Sequence, residues 1–460
     1  MNQNLKTTLQ ICLALMMFVA FGTITNSASG DKIKISLQPE AGSILKCRAQ
    51  LEFDGDVVVF NADPKAEETS MTLSVKSEQL FDQFQIDPSN TLRKYSDATA
   101  TILLNGKESN SVLLESNRQI VVRRTKAGFH RPLQYFSNGG ALKQAEQELL
   151  SVPCDLFALM ALINHESIEI GKKWSPENRL TQALFSLDNV IENRLSIQIK
   201  EVDKNRIAKV YLTGDVRGEV DGSSTSIRIS AVALVDLNKS VLRAFRATLT
   251  ENRQASQLAP GFDGNIKVDI SCTLKGTRDV NDETIKQVAA KINEKHTSRL
   301  LWNSDSQFEM IYDPQWKVIL SDSDVVVMRY AEKGNLLAQC NVLSLPRRPE
   351  DKPLELKEFE AQLSKNVIGD SGAKITSSTT MTTSTGMKVL QVVVSGVEEE
   401  IPMSWIYYHL SQSDGSCVAV VLTIEDEALE SFGNADVKLL DSIRFVPKDR
   451  KASTPPKTVR

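Results

Sequence analysis

Histidine is scarce in this chain: four among 460 residues, at His130, His165, His296 and His409. Triads and most zinc sites depend on imidazole, so this scarcity leaves them few positions. The six cysteines form no C-x-x-C pair, which removes zinc-finger and thioredoxin-type chemistry. A G-x-S-x-G elbow and a phosphate-cradling G-x-x-x-x-G-K run are both missing. A basic excess is missing too. The formal net charge is -4, which excludes the electrostatic footprint of a typical nucleic-acid binder. Long apolar runs are also lacking: the run Ile11 to Gly22 falls well short of the roughly 20 residues that a spanning helix needs.

What is present fits an ordinary globular chain, with 41% hydrophobic and 24% charged residues. Its length predicts roughly two to three domains. Lys6, the apolar run and the small polar stretch Thr23 to Gly30 form a secretory signal pattern over residues 1–28. Cleavage is expected near Ala28, with export to the periplasm or exterior. Asn26-Ser27-Ala28 departs from the small-x-small rule, so retention as an anchor is the alternative. Cys12 lies inside the run, where a lipoprotein signal would not place it.

Residues 31–280 predict one β-rich domain. Met71, Leu73 and Val75 alternate, and Asn105-Gly106 and Asp221-Gly222 offer tight turns. Between residues 141 and 163 the apolar period becomes helical on either side of Pro153, predicting two short helices. After Trp174 alternation returns in four strands and ends in Ile266 to Leu274. Consecutive hairpins must bury their apolar face, so the expected product is a curved antiparallel sheet or partial barrel with a helical insertion. Cys47 and Cys272 sit in alternating strands and face the core. Were those strands neighbours, a disulfide would close the domain; buried free thiols are the simpler reading. Residues 282–298 read as a connecting helix, and 448–460 as a disordered tail.

Residues 301–447 follow a different order. Phe308 to Tyr312 leads through Pro314 and Trp316 to strands, a helix over Leu356 to Val367, the strands Lys388 to Ser395 and Met403 to Leu410, a strand from Cys417, and the ending Leu439 to Phe445. This third of the chain resembles the PsbP-like fold family. The resemblance implies an antiparallel sheet covered by helices, no catalytic residue, and a binding or assembly role. The expected fold class overall is α+β.

Several residues could carry function. Trp405, Tyr407 and His409 share one face of a strand, either as a binding stripe or as core. Arg123, Arg124, Lys126 and Arg131 form a basic cluster suited to an anionic group, or a solvated face. His165-Glu166 begins like H-E-x-x-H but has Glu169 in place of the second histidine, and reads as a solvated helix end. Cys154 and His165 would stand about 16 Å apart on one helix. Glu398-Glu399-Glu400 reads as a solvated turn, and Gly261 to Asn265 as a tight turn rather than a calcium loop. No cofactor or metal is predicted. The leading expectation is a non-enzymatic binding module of the cell envelope or exterior, holding an apolar molecule or a protein partner. Holding an apolar molecule requires a cavity within residues 31–280. A scaffold requires instead apolar surface, as around Trp405. An enzyme requires clustered polar groups in a cleft.

Overall fold

Alternating side chains build most of this structure. The computed structural model describes residues 32–37, 42–60, 69–125, 132–277, 299–303, 308–332, 334–349, 352–368 and 372–446. The signal segment, the connecting helix, the tail, Lys126, His130 and Arg131 lie outside the described residues.

The first unit contains β1 (Lys32–Ile35), β2 (Ser43–Val59), β3 (Thr69–Asp87), β4 (Asn90–Leu104), β5 (Lys107–Val112), β6 (Gln119–Arg124), β7 (Leu133–Ser137) and β8 (Leu142–Lys143). Three helices follow Gly140: α1 (Gln144–Leu150), α2 (Leu156–Ile163) and α3 (Asn178–Phe185), with β9 (His165–Glu169) and β10 (Lys173–Trp174) between the last two. The remaining strands are β11 (Asn189–Asn193), β12 (Ser196–Val202), β13 (Ile207–Val220), β14 (Ser223–Asp236), β15 (Val241–Arg253) and β16 (Gly261–Thr277).

Thirteen of these strands form one antiparallel sheet in the order β10-β12-β13-β14-β15-β16-β2-β3-β4-β6-β7, with β11 on β13 and β5 on β4. Two meanders therefore meet at a single seam, β16 against β2. One face of the sheet is buried against α2 and α3, and Phe157, Leu159, Leu184 and Phe185 join Leu45, Ile120, Val210 and Phe245 in one core. Helix α2, LFALMALI, has seven of its eight residues buried, which its uniformly apolar sequence requires.

Turn chemistry sets the hairpins. Asn105 and Gly106 between β4 and β5, and Asp221 and Gly222 between β13 and β14, all have positive φ, the conformation that twist-matched two-residue turns demand. Two expectations are corrected. Gly261 to Asn265 lies inside β16, where a Cβ on Gly264 would sit 2.7 Å from the Asp54 oxygen and one on Gly55 2.3 Å from the Asp263 oxygen. These glycines let β2 and β16 approach closely rather than make a turn. His165 to Glu169 is strand β9, paired with β1, rather than a helix end.

The second unit comprises β17 (Arg299–Asn303), β18 (Phe308–Tyr312), β19 (Trp316–Ser321), β20 (Val325–Glu332), β21 (Asn335–Ser344), α4 (Leu356–Leu363), β22 (Lys374–Thr382), β23 (Lys388–Glu398), β24 (Ile401–Ser411), β25 (Cys417–Glu425), α5 (Leu429–Phe432), α6 (Ala435–Ser442) and β26 (Arg444–Phe445). Seven strands make an antiparallel sheet ordered β19-β20-β21-β25-β24-β23-β22. One face packs Met328, Cys340, Tyr408 and Leu422 against Trp316, Phe432 and Leu439. On the other face α4 covers Leu390, Val392 and Val394. The units touch: β8 runs parallel to β17, Tyr312 donates from its hydroxyl to Gln144 Oε1 at 3.5 Å, and Lys317 pairs with Asp221 at 2.8 Å.

Candidate functional site

Strand β24 alternates cleanly. Ser404, Ile406, Tyr408 and Leu410 are buried on the core face; Trp405 and Tyr407 point the other way and are only half-buried. His409 continues their face but is 4% exposed, its ring 6.1 Å from Phe359 of α4. Burial first, then the nearby Arg348 and Lys388 charges, lower the His409 pKa to about 4, although Glu358 opposes them. Its Nδ1 finds no hydrogen-bond partner among the described residues.

The three residues thus divide: His409 lies under α4, whereas Trp405 and Tyr407 stand at the helix's margin. Their cross-strand partners on β25 are Thr423 and Val421, and these in turn face Gln339 and Asn341 on β21. Val325, Val327 and Leu343 extend the same face and are likewise half-buried. Helix α4 packs on β22 and β23; the other half of the face carries no covering helix among the described residues, and at its β20 edge Arg329 donates to the Gln257 oxygen of the first unit. At the Trp405 end this half is rimmed by acid: Glu398, Glu399, Glu400, Glu425 and Glu427 are all exposed, and Glu399 and Glu400, both at positive φ, form the β23–β24 turn after Glu398 ends β23.

The basic cluster is partly engaged. Arg123 donates to Asn90 Oδ1 at 2.9 Å and lies 5.1 Å over the Phe136 ring; Arg124 donates to the Pro88 oxygen and lies 4.8 Å over Phe157. Burial lowers the Arg124 pKa. Cys154 and His165 stand at opposite ends of α2, and burial, with the Asp155 charge, pushes the Cys154 thiol up, which disfavours the nucleophilic thiolate. His165 instead packs edge-on to Trp174 at 5.2 Å.

Sequence reading missed a polar centre inside the first unit. Arg93 of β4 makes two hydrogen bonds to Asp155, Nη1 to Oδ2 at 2.7 Å and Nη2 to Oδ1 at 2.9 Å, with both side chains 2% exposed. Gln83 Oε1 accepts from Arg93 Nε at 2.9 Å, and the Tyr135 hydroxyl donates to Asp155 at 3.2 Å. Asp155 also caps α2, accepting from the Phe157 N–H at 2.8 Å. Burial alone would lower the Arg93 pKa, but the Asp155 carboxylate reverses this and raises it. A signal existed: Arg93 alternates with Thr91 and Tyr95 on the inward face of β4. Beside this centre, between Pro153, Cys154, Gln79, Ala49 and Ile270, is a cavity of about 20 Å³, room for one water. A second, of about 10 Å³, lies between Phe157, Met160 and Arg124.

No protein-family model matches this chain, and no curated protein matches it. Among solved structures, it is similar to the apo immunity protein TplEi of the Pseudomonas aeruginosa type VI secretion system at 10% identity and TM-score 0.21, over 52% of this chain and 97% of that one. It is also similar to OmpF of Salmonella typhi, at 10% identity and TM-score 0.12, over 84% and 98%. Likenesses this distant carry neither fold nor function.

Proposed function

We propose that this protein is an exported, non-enzymatic binding module that holds a protein partner against the open face of its second unit. The observation that carries this reading is the half of the seven-stranded sheet that α4 does not cover, where Val421, Leu343 and Val327 share a face with Trp405 and Tyr407, which pack on the margin of the α4 cluster. Large half-buried aromatics beside aliphatic side chains supply the anchors that interfaces use. The acidic rim at the Trp405 end favours a partner whose apolar strip ends in lysine or arginine. The PsbP-like resemblance fits this reading in element order and in its association with binding and assembly. The signal pattern supports export.

An apolar-ligand reading has one observation in its favour, the wholly apolar α2 seated on the curved sheet that we infer for the first unit. It would require α2 to leave its place, because the two cavities beside it hold about 20 and 10 Å³.

The test is a photo-crosslinking side chain at Val421, in the native compartment, with the captured peptide sequenced. The expected result is one partner, crosslinked through an apolar segment flanked by basic residues and lost when Trp405→Ala is added. Absence of a Val421 crosslink, together with a small molecule released from the native chain on denaturation in a mass spectrometer, would favour the ligand reading instead.

A further inference from the structure

We infer that Cys47 and Cys272 are a disulfide in the exported protein, a covalent clasp across the one seam that joins the two meanders of the large sheet. This rests on the export reading above.

The two residues are direct cross-strand partners, Cys47 of β2 opposite Cys272 of β16, with Leu45 opposite Leu274 on one side and Ala49 opposite Ile270 on the other. Directly opposed residues of an antiparallel pair have Cα atoms about 4.5 to 5.5 Å apart, inside the Cα span of a disulfide, and a small approach of the two Cβ atoms closes the bond. Both side chains lie on the buried face, 2% and 3% exposed. In the structure both are free thiols, and Cys47 also approaches the Leu45 oxygen, at 3.7 Å.

No other two cysteines are cross-strand partners among the described residues: Cys340 stands opposite Leu422 and Cys417 opposite Ser411, while Cys154, just before α2, lines the small cavity beside Ala49 and Ile270 and lies in no strand. Beyond the signal segment the chain has five cysteines, so this pairing leaves three thiols.

The position has topological meaning as well. Every other strand contact of the large sheet joins segments within one meander; β16 to β2 alone closes a loop of about 225 residues, the kind of loop whose cross-linking restricts the unfolded chain most. The bond forms before burial, by exchange with the disulfide of an oxidoreductase in the export compartment. One cysteine thiolate attacks that disulfide to give a mixed disulfide, and the second displaces it. The oxidoreductase is reduced to a dithiol, and the chain loses two hydrogens. Once folded, the clasp is shielded from reductant.

The experiment is thiol counting on the mature chain taken from its native compartment, denatured and alkylated with and without prior reduction, with peptide mapping and sequencing of the N-terminus. The expected result is alkylation of Cys154, Cys340 and Cys417 only, a linked peptide carrying Cys47 and Cys272, and five alkylated cysteines after reduction. Five reactive thiols in a chain whose processed N-terminus shows export would overturn the clasp and leave the export reading intact. Should the chain prove not to be exported, refolding of the full chain in a glutathione redox buffer decides: formation of the same linked peptide supports the pairing, and its absence overturns it. Cys272→Ser adds a control, since Cys47 should then alkylate without reduction and the urea midpoint should drop to that of the reduced wild type.

Discussion

Replacing Asp155 with alanine should unfold the first unit far more readily than any surface change. The carboxylate has three partners in the core: the Arg93 guanidinium at 2.7 and 2.9 Å, the Phe157 N–H at 2.8 Å and the Tyr135 hydroxyl at 3.2 Å. Stranding a buried arginine costs about 3 to 5 kcal/mol. Losing the helix cap adds about 1 kcal/mol. These effects overlap, so the expected loss is about 3 to 5 kcal/mol, a large share of the roughly 5 to 15 kcal/mol that holds a domain together. For a unit of this size that lowers the melting temperature by about 6 to 20 °C. The double variant Arg93→Met with Asp155→Asn removes the stranded charge, keeps a side-chain cap and should recover most of the loss. Urea unfolding followed by circular dichroism and tryptophan emission measures both. A loss below about 1 kcal/mol for Asp155→Ala, or a double variant no better than the single, would refute a core organised on this pair.

Other outcomes are open to measurement. The His409 pKa lies near 4 when folded and near 6.5 when unfolded, so between those values the unfolded chain binds the proton that the native chain refuses. Stability should therefore fall as pH drops from about 6.5 to 4, by up to about 1.4 kcal/mol per pH unit, and His409→Gln should flatten that slope in urea titrations of the second unit. Gly264→Ala forces a Cβ against the Asp54 oxygen and the Gly55 backbone, and should cost about 1 to 3 kcal/mol by thermal denaturation; an unchanged melting temperature would mean that β2 and β16 lie further apart than described. Trp405→Ala should weaken partner binding by about 30-fold or more with little change in melting temperature, because its ring is only half-buried; titration calorimetry with the crosslinked partner distinguishes the two effects.

Local rules made much of this fold legible. Period-two alternation located the strands around Cys47, Cys272 and Trp405, and the Asn-Gly and Asp-Gly pairs located two hairpins because only certain residues accept positive φ. Pro153 separated α1 from α2 as expected. Helix α3 went unread because eight residues give barely two turns of period, and its apolar positions Leu180, Ala183 and Leu184 sit between strands that alternate strongly. The Arg93–Asp155 pair spans 62 residues of sequence, and no local pattern announces a partner at that distance. Gly264 resembled a turn residue because glycine serves close strand approach and turning equally well. At the aromatic face, alternation could say that Trp405, Tyr407 and His409 point together. Which of them α4 covers depends on where the helix docks, and that left His409 enclosed and the other two at its margin.

The short parallel pairing of β8 with β17 sets Arg299 opposite Leu142 and Leu300 opposite Lys143, and so threads a piece of the first unit into a small four-stranded sheet, β26-β18-β17-β8, whose other strands belong to the second. A protease nick between Thr277 and Arg299 should therefore not release two fragments, since β8, the Tyr312–Gln144 contact and the Lys317–Asp221 pair would still tie them. Load applied to β17 would travel through the same stitch into α1, which follows β8 directly and whose buried Glu146 accepts hydrogen bonds from Asn117 and the Leu114 and Lys143 N–H groups. A tug on the second unit is thus felt in the interior of the first.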